Sequence, residues 1–229
     1  KEDGMNISER YARETARDYA LRMLKRSIAS MDLEPGKMLS ENELSAALGL
    51  SRTPVREALI ELSKIRIVEI LPQRGSRIAL IDYDFVEESR FMRMVLEKAI
   101  FELACDMAPE LDFSAAEANV KLQQFYFENQ LNEKLMELDD AFHREFFRLT
   151  NKMQSYHMLE SMTLHFDRVR NLSLFAVREI KIVEDHQRLL AAVQAGDKEQ
   201  VSALIVKHLS RYKVDKDEIY TKYHEYFTK

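Results

Sequence analysis

The chain has one cysteine, no run of about 18 uncharged apolar residues of the kind that spans a bilayer, and no credible strand pattern from Phe85 onward. A single cysteine, Cys105, excludes an internal disulfide framework and suits a reducing cytosol. It falls in an apolar helical stretch, where a small buried hydrophobe is the ordinary reading. Without a long apolar run there is no membrane-spanning helix. No signal peptide is visible either, Lys1–Met5 reads as a clipped start or an expression remnant, and a cytoplasmic location is expected. H-E-x-x-H, a Gly-rich phosphate loop and an obvious nucleophile pair are also missing, which counts against an enzyme. There is no internal repeat.

What is present is enough for real cores: 229 residues, 46% apolar and 32% charged, with room for one large or two modest domains. The net charge is −5, but it is unevenly spread. Residues 1–78 hold 14 Lys/Arg against 12 Asp/Glu, and the remainder holds 20 against 27. Within residues 50–78 the balance is six against three. A basic segment fused to an acidic one is the asymmetry of a small nucleic-acid reader attached to a partner domain.

The basic segment contains L-S-E-N-E-L-S-A-A-L-G-L-S-R-T-P-V-R-E-A, Leu39 to Ala58. Ser40 with Glu43 forms a capping box, and Leu44, Ala47 and Leu48 give the first helix an apolar face. Gly49 sits where a left-handed residue ends that helix. Ser51 caps a second helix, whose first turn accepts Pro54. Val55, Leu59 and Leu62 bury one face of it, while Arg52 and Arg56 share another. Ile65–Leu71 and R-I-A-L-I are β-rich and flank P-Q-R-G-S, a hairpin with Arg74 and Gly75 at its tip. Ser8–Met31 is a supporting helix with Ala16, Tyr19, Ala20, Met23, Leu24 and Ile28 at a helical period. Helix, turn, helix and wing is the shape that enters a DNA major groove, and an arginine fork matches guanine O6/N7 or phosphate. Two arginines on a helix are by themselves more often just solvated.

L-x-P-G-x-x-L-S-E-x-x-L-x-x-x-L-G-x-S-R-T-P-V-R-E-A-L from Leu33 to Leu59, followed by the RG-tipped wing, resembles the DNA-binding domain of GntR-family bacterial transcription regulators. The resemblance implies that Ser51, Arg52, Thr53 and Arg56 contact DNA and that Arg74 and Gly75 reach the minor groove. Two positions depart from the pattern. Asn42 stands where many members have a basic residue, which removes one contact. Arg66 stands where many have glycine before the wing, so that helix end must be closed differently.

From Phe85 the pattern is helical throughout. Amphipathic helices are expected over about 85–107, with Met92, Leu96, Ala99, Leu103 and Met107 inward, and over about 114–131, opened by a Ser114/Glu117 capping box. Further helices are expected at about 133–150, 154–172, 180–195 and from 198 to at least 212, with Lys213–Lys229 extending the last or forming another. Six helices with short connections read as an antiparallel bundle. The expected fold is mainly α, an N-terminal winged helix-turn-helix (8–79), a linker (80–84) and an all-α antiparallel helical bundle (85–229).

Asp139 and His143 are one turn apart on the third of these helices, and His165, His186 and His208 fall on the apolar stripes of the next three. One inward histidine is ordinarily a hydrogen-bonded core residue. Several uncompensated imidazoles in one core are costly, and a shared divalent cation would compensate them together. Three imidazoles and a carboxylate suit Zn²⁺, Ni²⁺ or Mn²⁺. D-D-A-F-H, E-D-H-Q-R-L-L-A-A-V-Q-A-G-D and His208 resemble the FCD effector domain of the FadR-type branch of the GntR family, in its six-helix, VanR-like group. That resemblance implies Asp139, His143, His186 and His208 as metal ligands. It places Arg93, in R-x-x-L-E, at an effector pocket as a cation for a carboxylate. His165 has no standard place in that set and is left as an outer neighbour of the ligands or as pocket lining at the effector site. The implied protein is a bacterial homodimer, a repressor whose grip on double-stranded operator DNA answers to a small organic acid. Two rivals use the same cluster: a metal-responsive regulator, in which the ion is the signal, and a metal-dependent hydrolase.

Overall fold

The computed structural model describes residues 5–129, 131, 134–176 and 181–228. Two compact units are distinguished by their internal contacts. One comprises the described residues up to Val86, with Leu164–Asn171 and the described residues from Tyr223; the other comprises Glu87–Thr163 and Leu172–Lys222.

In the first unit, α1 (Ala16–Ala29) begins only after Thr15, whose side chain accepts from Asp18 N. Residues 8–14, expected to be helical, precede this cap. The next helix, α2 (Glu41–Leu48), is capped by Ser40, which accepts from Glu43 N, and closed by Gly49 at φ +64°. Ala47 is exposed, and Ser45 takes the inward place beside Leu44 and Leu48. Then α3 (Arg52–Lys64) buries Val55, Ala58, Leu59 and Leu62; Ser51 stands at its N-cap without a side-chain cap bond. Gly49 lies in the region where a Cβ is unfavourable, although nothing crowds it within 4 Å. Gly49→Ala is therefore expected to cost about 1 kcal/mol from backbone strain alone, measured as the loss of stability in urea.

The wing is a three-stranded antiparallel sheet in the order β1 (Met38–Leu39), β3 (Gly75–Ile78), β2 (Val68–Leu71). Val68 faces Ile78 and Leu71 faces Gly75, while Leu39 pairs with Ser76. The sequence pattern anticipated β2 and β3 but not the two-residue β1. Arg66 closes the end of α3 by adopting φ +58°, the conformation glycine takes most cheaply. Its guanidinium lies 5.0 Å from the Phe85 ring, a cation–π contact that partly offsets the strain.

Leu164 joins the apolar core of this unit beside Met23, Leu24, Leu59 and Ile78. The end of the described chain joins it too: Ile81 N donates to Tyr226 O (2.7 Å), and Thr228 N donates to Ile81 O (2.9 Å). Ile81, expected in a linker, is thus part of a β-bridge with Phe227, and Tyr83 stacks on the Phe227 ring at 5.0 Å.

The second unit is built from helices. These are α4 (Tyr83–Met107), α5 (Ser114–Glu128), α6 (Leu135–Leu149), α7 (Met153–Glu160), α8 (Leu164–Ala176), α9 (Ile182–Gln194), α10 (Lys198–His208) and α11 (Tyr212–Tyr223), although the start of α4, Leu164–Asn171 of α8 and the last residue of α11 belong to the first unit. The helix starts expected at Glu133 and Ile180 lie outside the described residues. The helix expected over 154–172 is two helices, α7 and α8. Ser161 Oγ takes up Met158 O, and Met162 N closes back on Leu159 O, so the helical ladder ends there. Asp112 Oδ1, rather than a Ser114/Glu117 box, accepts the free N–H at the start of α5. The buried face of α4 also differs from expectation. Arg93, Glu97, Ile100, Phe101 and Ala104 are buried, whereas Ala99 is exposed. The polar pair on that face points to a polar centre inside the bundle.

Candidate nucleic-acid interface and metal centre

The recognition-type helix α3 exposes Ser51, Arg52, Thr53 and Arg56 together on one side, while its Val55/Leu59/Leu62 face holds it to the core. Arg74 and Gly75 are exposed at the wing tip, where Arg74 N donates to Leu71 O (3.0 Å) and Gly75 has φ +96°. The residues expected to face DNA are thus on two exposed edges of one unit. Arg52 and Arg56 are both tied to Glu41 at the start of α2.

Inside the bundle, Asp139 and His143 from α6, His186 from α9 and His208 from α10 converge. All four are buried, and their ligand atoms lie within 4.8 Å of one another. The three imidazoles meet through the same ring nitrogen. His143 Nε2 is 3.2 Å from His208 Nε2 and 3.3 Å from His186 Nε2. Asp139 Oδ1 is 3.4 Å from His186 Nε2 and 3.7 Å from His208 Nε2. Phe142 stacks on His186 at 4.2 Å and gives the centre an apolar wall.

Each outer nitrogen faces an acceptor. Gln123 Oε1 is 2.7 Å from His186 Nδ1. The amide of Gln123 points that way because its Nε2 donates to Asn119 Oδ1 and towards Leu138 O. Glu97 Oε2 lies 2.8 Å from His143 Nδ1, and Asp185 Oδ2 lies 3.5 Å from His208 Nδ1. Both carboxylates carry an arginine: Arg93 Nε donates to Glu97 Oε1 (2.7 Å), and Arg211 Nη2 donates to Asp185 Oδ1 (2.6 Å). Burial pushes Glu97 upward, but Arg93 and His143 outweigh it and hold the carboxyl at about 2. Asp185 is likewise raised by burial and brought well below the usual carboxylate range by His208 and Arg211.

With acceptors outside, the imidazole protons sit on Nδ1 and the Nε2 lone pairs turn inward. Burial, above all, lowers His143 and His186, so both are neutral at pH 7. Two neutral Nε2 atoms with inward lone pairs have no proton to share between them at 3.3 Å. Glu97 Oε2, His143 Nδ1 and His208 Nδ1 are also buried without a well-aligned hydrogen bond. A cation at the common point would satisfy the lone pairs and polarise the N–H groups toward their acceptors, the pattern by which outer residues orient metal-bound histidines. The donor set therefore fits a divalent transition metal.

Arg93 stands beside this centre, with Nη2 3.7 Å from Asp139 and Nη1 3.8 Å from Asp140. It is engaged with Glu97 as well, a pairing that a helical i,i+4 spacing allowed but did not dictate. His165 is elsewhere. Its Nε2 is 2.7 Å from Ile65 O, its Nδ1 is 3.1 Å from Arg168 Nη2, and both belong to the winged-helix unit. Both ring nitrogens are committed there, which removes His165 from the pocket lining. Glu97, Gln123 and Asp185 were not anticipated as partners of the cluster. Their only local signals are the Arg93/Glu97 spacing and the place of Asp185 beside His186.

The family described as bacterial regulatory proteins, gntR family, matches residues 17–78, and the FCD domain matches residues 88–211. The chain is 31% identical over 189 residues to the HTH-type transcriptional repressor RspR of Escherichia coli K12, covering 82% of this chain and 83% of that one. It is equally 31% identical to an HTH-type transcriptional regulator from Streptomyces ambofaciens, over 83% of this chain and 80% of its relative. The solved structure of E. coli McbR/YncC superposes with a TM-score of 0.77 at 22% identity, covering 91% of this chain and 99% of that one, and so shares the fold. A winged helix with an exposed arginine edge, followed by an FCD bundle, makes this chain a member of the GntR family of transcriptional regulators.

Proposed function

We infer that the protein is a repressor that binds a near-palindromic operator as a homodimer and releases it when a small organic acid enters the FCD bundle. The observation that carries the ligand-responsive part is the convergence of three Nε2 atoms and Asp139 Oδ1, each imidazole with its other nitrogen toward an acceptor. Asp139, His143, His186 and His208 would hold Zn²⁺, Ni²⁺ or Mn²⁺. Such an ion supplies an open position for a carboxylate oxygen. Arg93 adds a fixed positive charge at the same centre.

On DNA, two copies of α3 would sit about 34 Å apart, one helical turn, as a two-fold dimer requires. Phosphate contacts would supply salt-sensitive affinity, with Arg52 and Arg56 supplying base choice. The acid can act only by favouring one arrangement of the dimer over the other. Couplings of this kind change affinity by about 5- to 150-fold.

The test is a binding titration of the full chain on duplexes enriched from a random pool. Arg52→Ala should weaken binding to the enriched duplex by roughly 5- to 150-fold. Citrate added to zinc-loaded protein, as a probe acid, should weaken it within the coupling range above. Undiminished affinity of Arg52→Ala would discard the reading helix. A response to zinc alone, with none to citrate or simpler carboxylates, would make the ion itself the signal.

A further inference from the structure

Glu41 is the first residue of α2, yet its carboxylate is spent on the next helix. Oε1 accepts from Arg56 Nε at 2.9 Å, and Oε2 accepts from Arg56 Nη2 at 2.8 Å. The same Oε2 accepts from Arg52 Nη2 at 3.3 Å. One carboxylate therefore grips both arginines of the reading edge. These side chains are 57% and 61% exposed, and exposed ion pairs add little to stability. The arrangement needs another reason.

The geometry of the Arg56 pair supplies one. A guanidinium has five N–H donors in a fixed fork. Glu41 occupies the Nε side and takes one N–H of Nη2, which leaves Nη1 and the second N–H of Nη2 for an end-on contact. That end is the fork that matches guanine O6 and N7. An unrestrained arginine spends rotamer entropy when it finds a base, and it can equally settle on a phosphate. With Glu41 in place, Arg56 is already oriented, Arg52 is tethered beside it, and one of their two charges is cancelled. The bond from Arg56, above all, lowers the Glu41 carboxyl; it outweighs the opposing effect of burial and keeps the group ionised.

We propose that Glu41 is a specificity-determining positioning residue: it buttresses Arg56 end-on for a guanine in each half-site and withholds charge from phosphates. The proposal rests on the DNA-reading role of α3 stated above. It makes one carboxylate trade non-specific affinity for base discrimination.

The experiment is in vitro selection of the full chain, Glu41→Gln and Glu41→Asp from a randomised duplex pool. It is paired with titration of the unselected pool at several salt concentrations and with circular dichroism to verify folding. The wild type should enrich a motif with a fixed guanine in each half-site. Glu41→Gln should bind the unselected pool several-fold more tightly, steepen its salt dependence by about one phosphate contact, and lose roughly tenfold of the preference for that guanine. Glu41→Asp keeps the charge but falls short by one methylene. It should lose the preference while binding unselected DNA as the wild type does. Damage to the fold would weaken both pools alike and could not tighten one of them. If folded Glu41→Gln enriches the same motif at the same ratio, or weakens both pools equally, the buttress is overturned and the reading helix stands. If the wild type enriches no motif, both fall together.

Discussion

Metal-free protein titrated with Zn²⁺, Ni²⁺ or Mn²⁺ will gain thermal stability in its helical bundle, and His186→Ala will abolish the gain. A ligand that binds only the folded state stabilises it by about 4 kcal/mol at a thousand times its dissociation constant. For a chain of this length that corresponds to a rise of about 10 °C in Tm. The donors that would hold the ion are gathered in the folded chain. His186 Nε2 lies 3.3 Å from His143 Nε2 and 3.4 Å from Asp139 Oδ1 in a site walled by Phe142. His143 and Glu97 each leave a buried atom without an aligned partner. The unfolded chain does not gather these donors, so an ion held by all four would favour the folded state. His186 is the ligand to remove because its outer partner, Gln123, is neutral, and its loss strands no buried carboxylate. An equal rise in His186→Ala, or no rise with any of the three ions, would sink the assignment of the centre while leaving the DNA-binding unit untouched.

The winged-helix unit will lose about 3 kcal/mol of stability as pH falls from 6.5 to 4, and His165→Gln will flatten this dependence. Burial, followed by the neighbouring Arg168 charge, lowers His165 to about 4. Its Nε2–H faces Ile65 O and its Nδ1 accepts from Arg168, so a second ring proton would point at an arginine donor. The unfolded chain takes up that proton near pH 6.5, whereas the folded chain resists until about 4. Between those values the unfolded state holds more protons. Stability is therefore complete above pH 6.5 and lost as pH falls. Amide exchange at Ala79, whose N–H donates to Ile67 O (2.9 Å), reports this unit separately from the bundle. Glutamine can still donate to Ile65 O but does not titrate. A slope unchanged in His165→Gln would assign the effect to other groups. The bundle should follow with the same sign: His143 and His186 are also lowered, and Glu97 surrenders its contribution as pH drops from 4.5 toward about 2.

These two histidine stories show how far the sequence could be read. Local rules located Ser40, Gly49 and the wing hairpin because caps and turns are decided within a few residues. Helical spacing placed Asp139 with His143 and turned His186 and His208 inward, and resemblance to FCD domains joined the four as one ligand set. The same spacing correctly turned His165 inward. It could not say what lies opposite, because a period fixes a face and leaves the facing partner to packing. The outer acceptors Glu97, Gln123 and Asp185 stayed hidden for that reason, each on a different helix from the imidazole it faces; Asp185 shares α9 with His186 but faces His208 on α10. Strand β1 was invisible because two residues carry no alternation, and its partners Arg77 and Ser76 lie nearly 40 positions along the chain. The break between α7 and α8 was equally silent: Met158, Met162 and His165 fit one continuous helix, and only the turn at Ser161 ends it.

The buried guanidinium of Arg168 donates to Ala79 O at 2.8 Å, and Leu164 fills the core beneath it. Neither residue is within 75 positions of Val86 in the chain, and Phe227 is farther still. The domain that touches DNA is thus not contiguous in the gene. On the ribosome, at about 5–20 residues per second, its first 86 residues must wait roughly 7 to 28 seconds before residue 228 has been made. Ala79 O lacks its partner until Arg168 is made, and Ile81 lacks its own until Tyr226 and Thr228 follow. A shortened gene product stopping after the wing would keep every residue of the reading edge and still lack the pieces that finish its foundation.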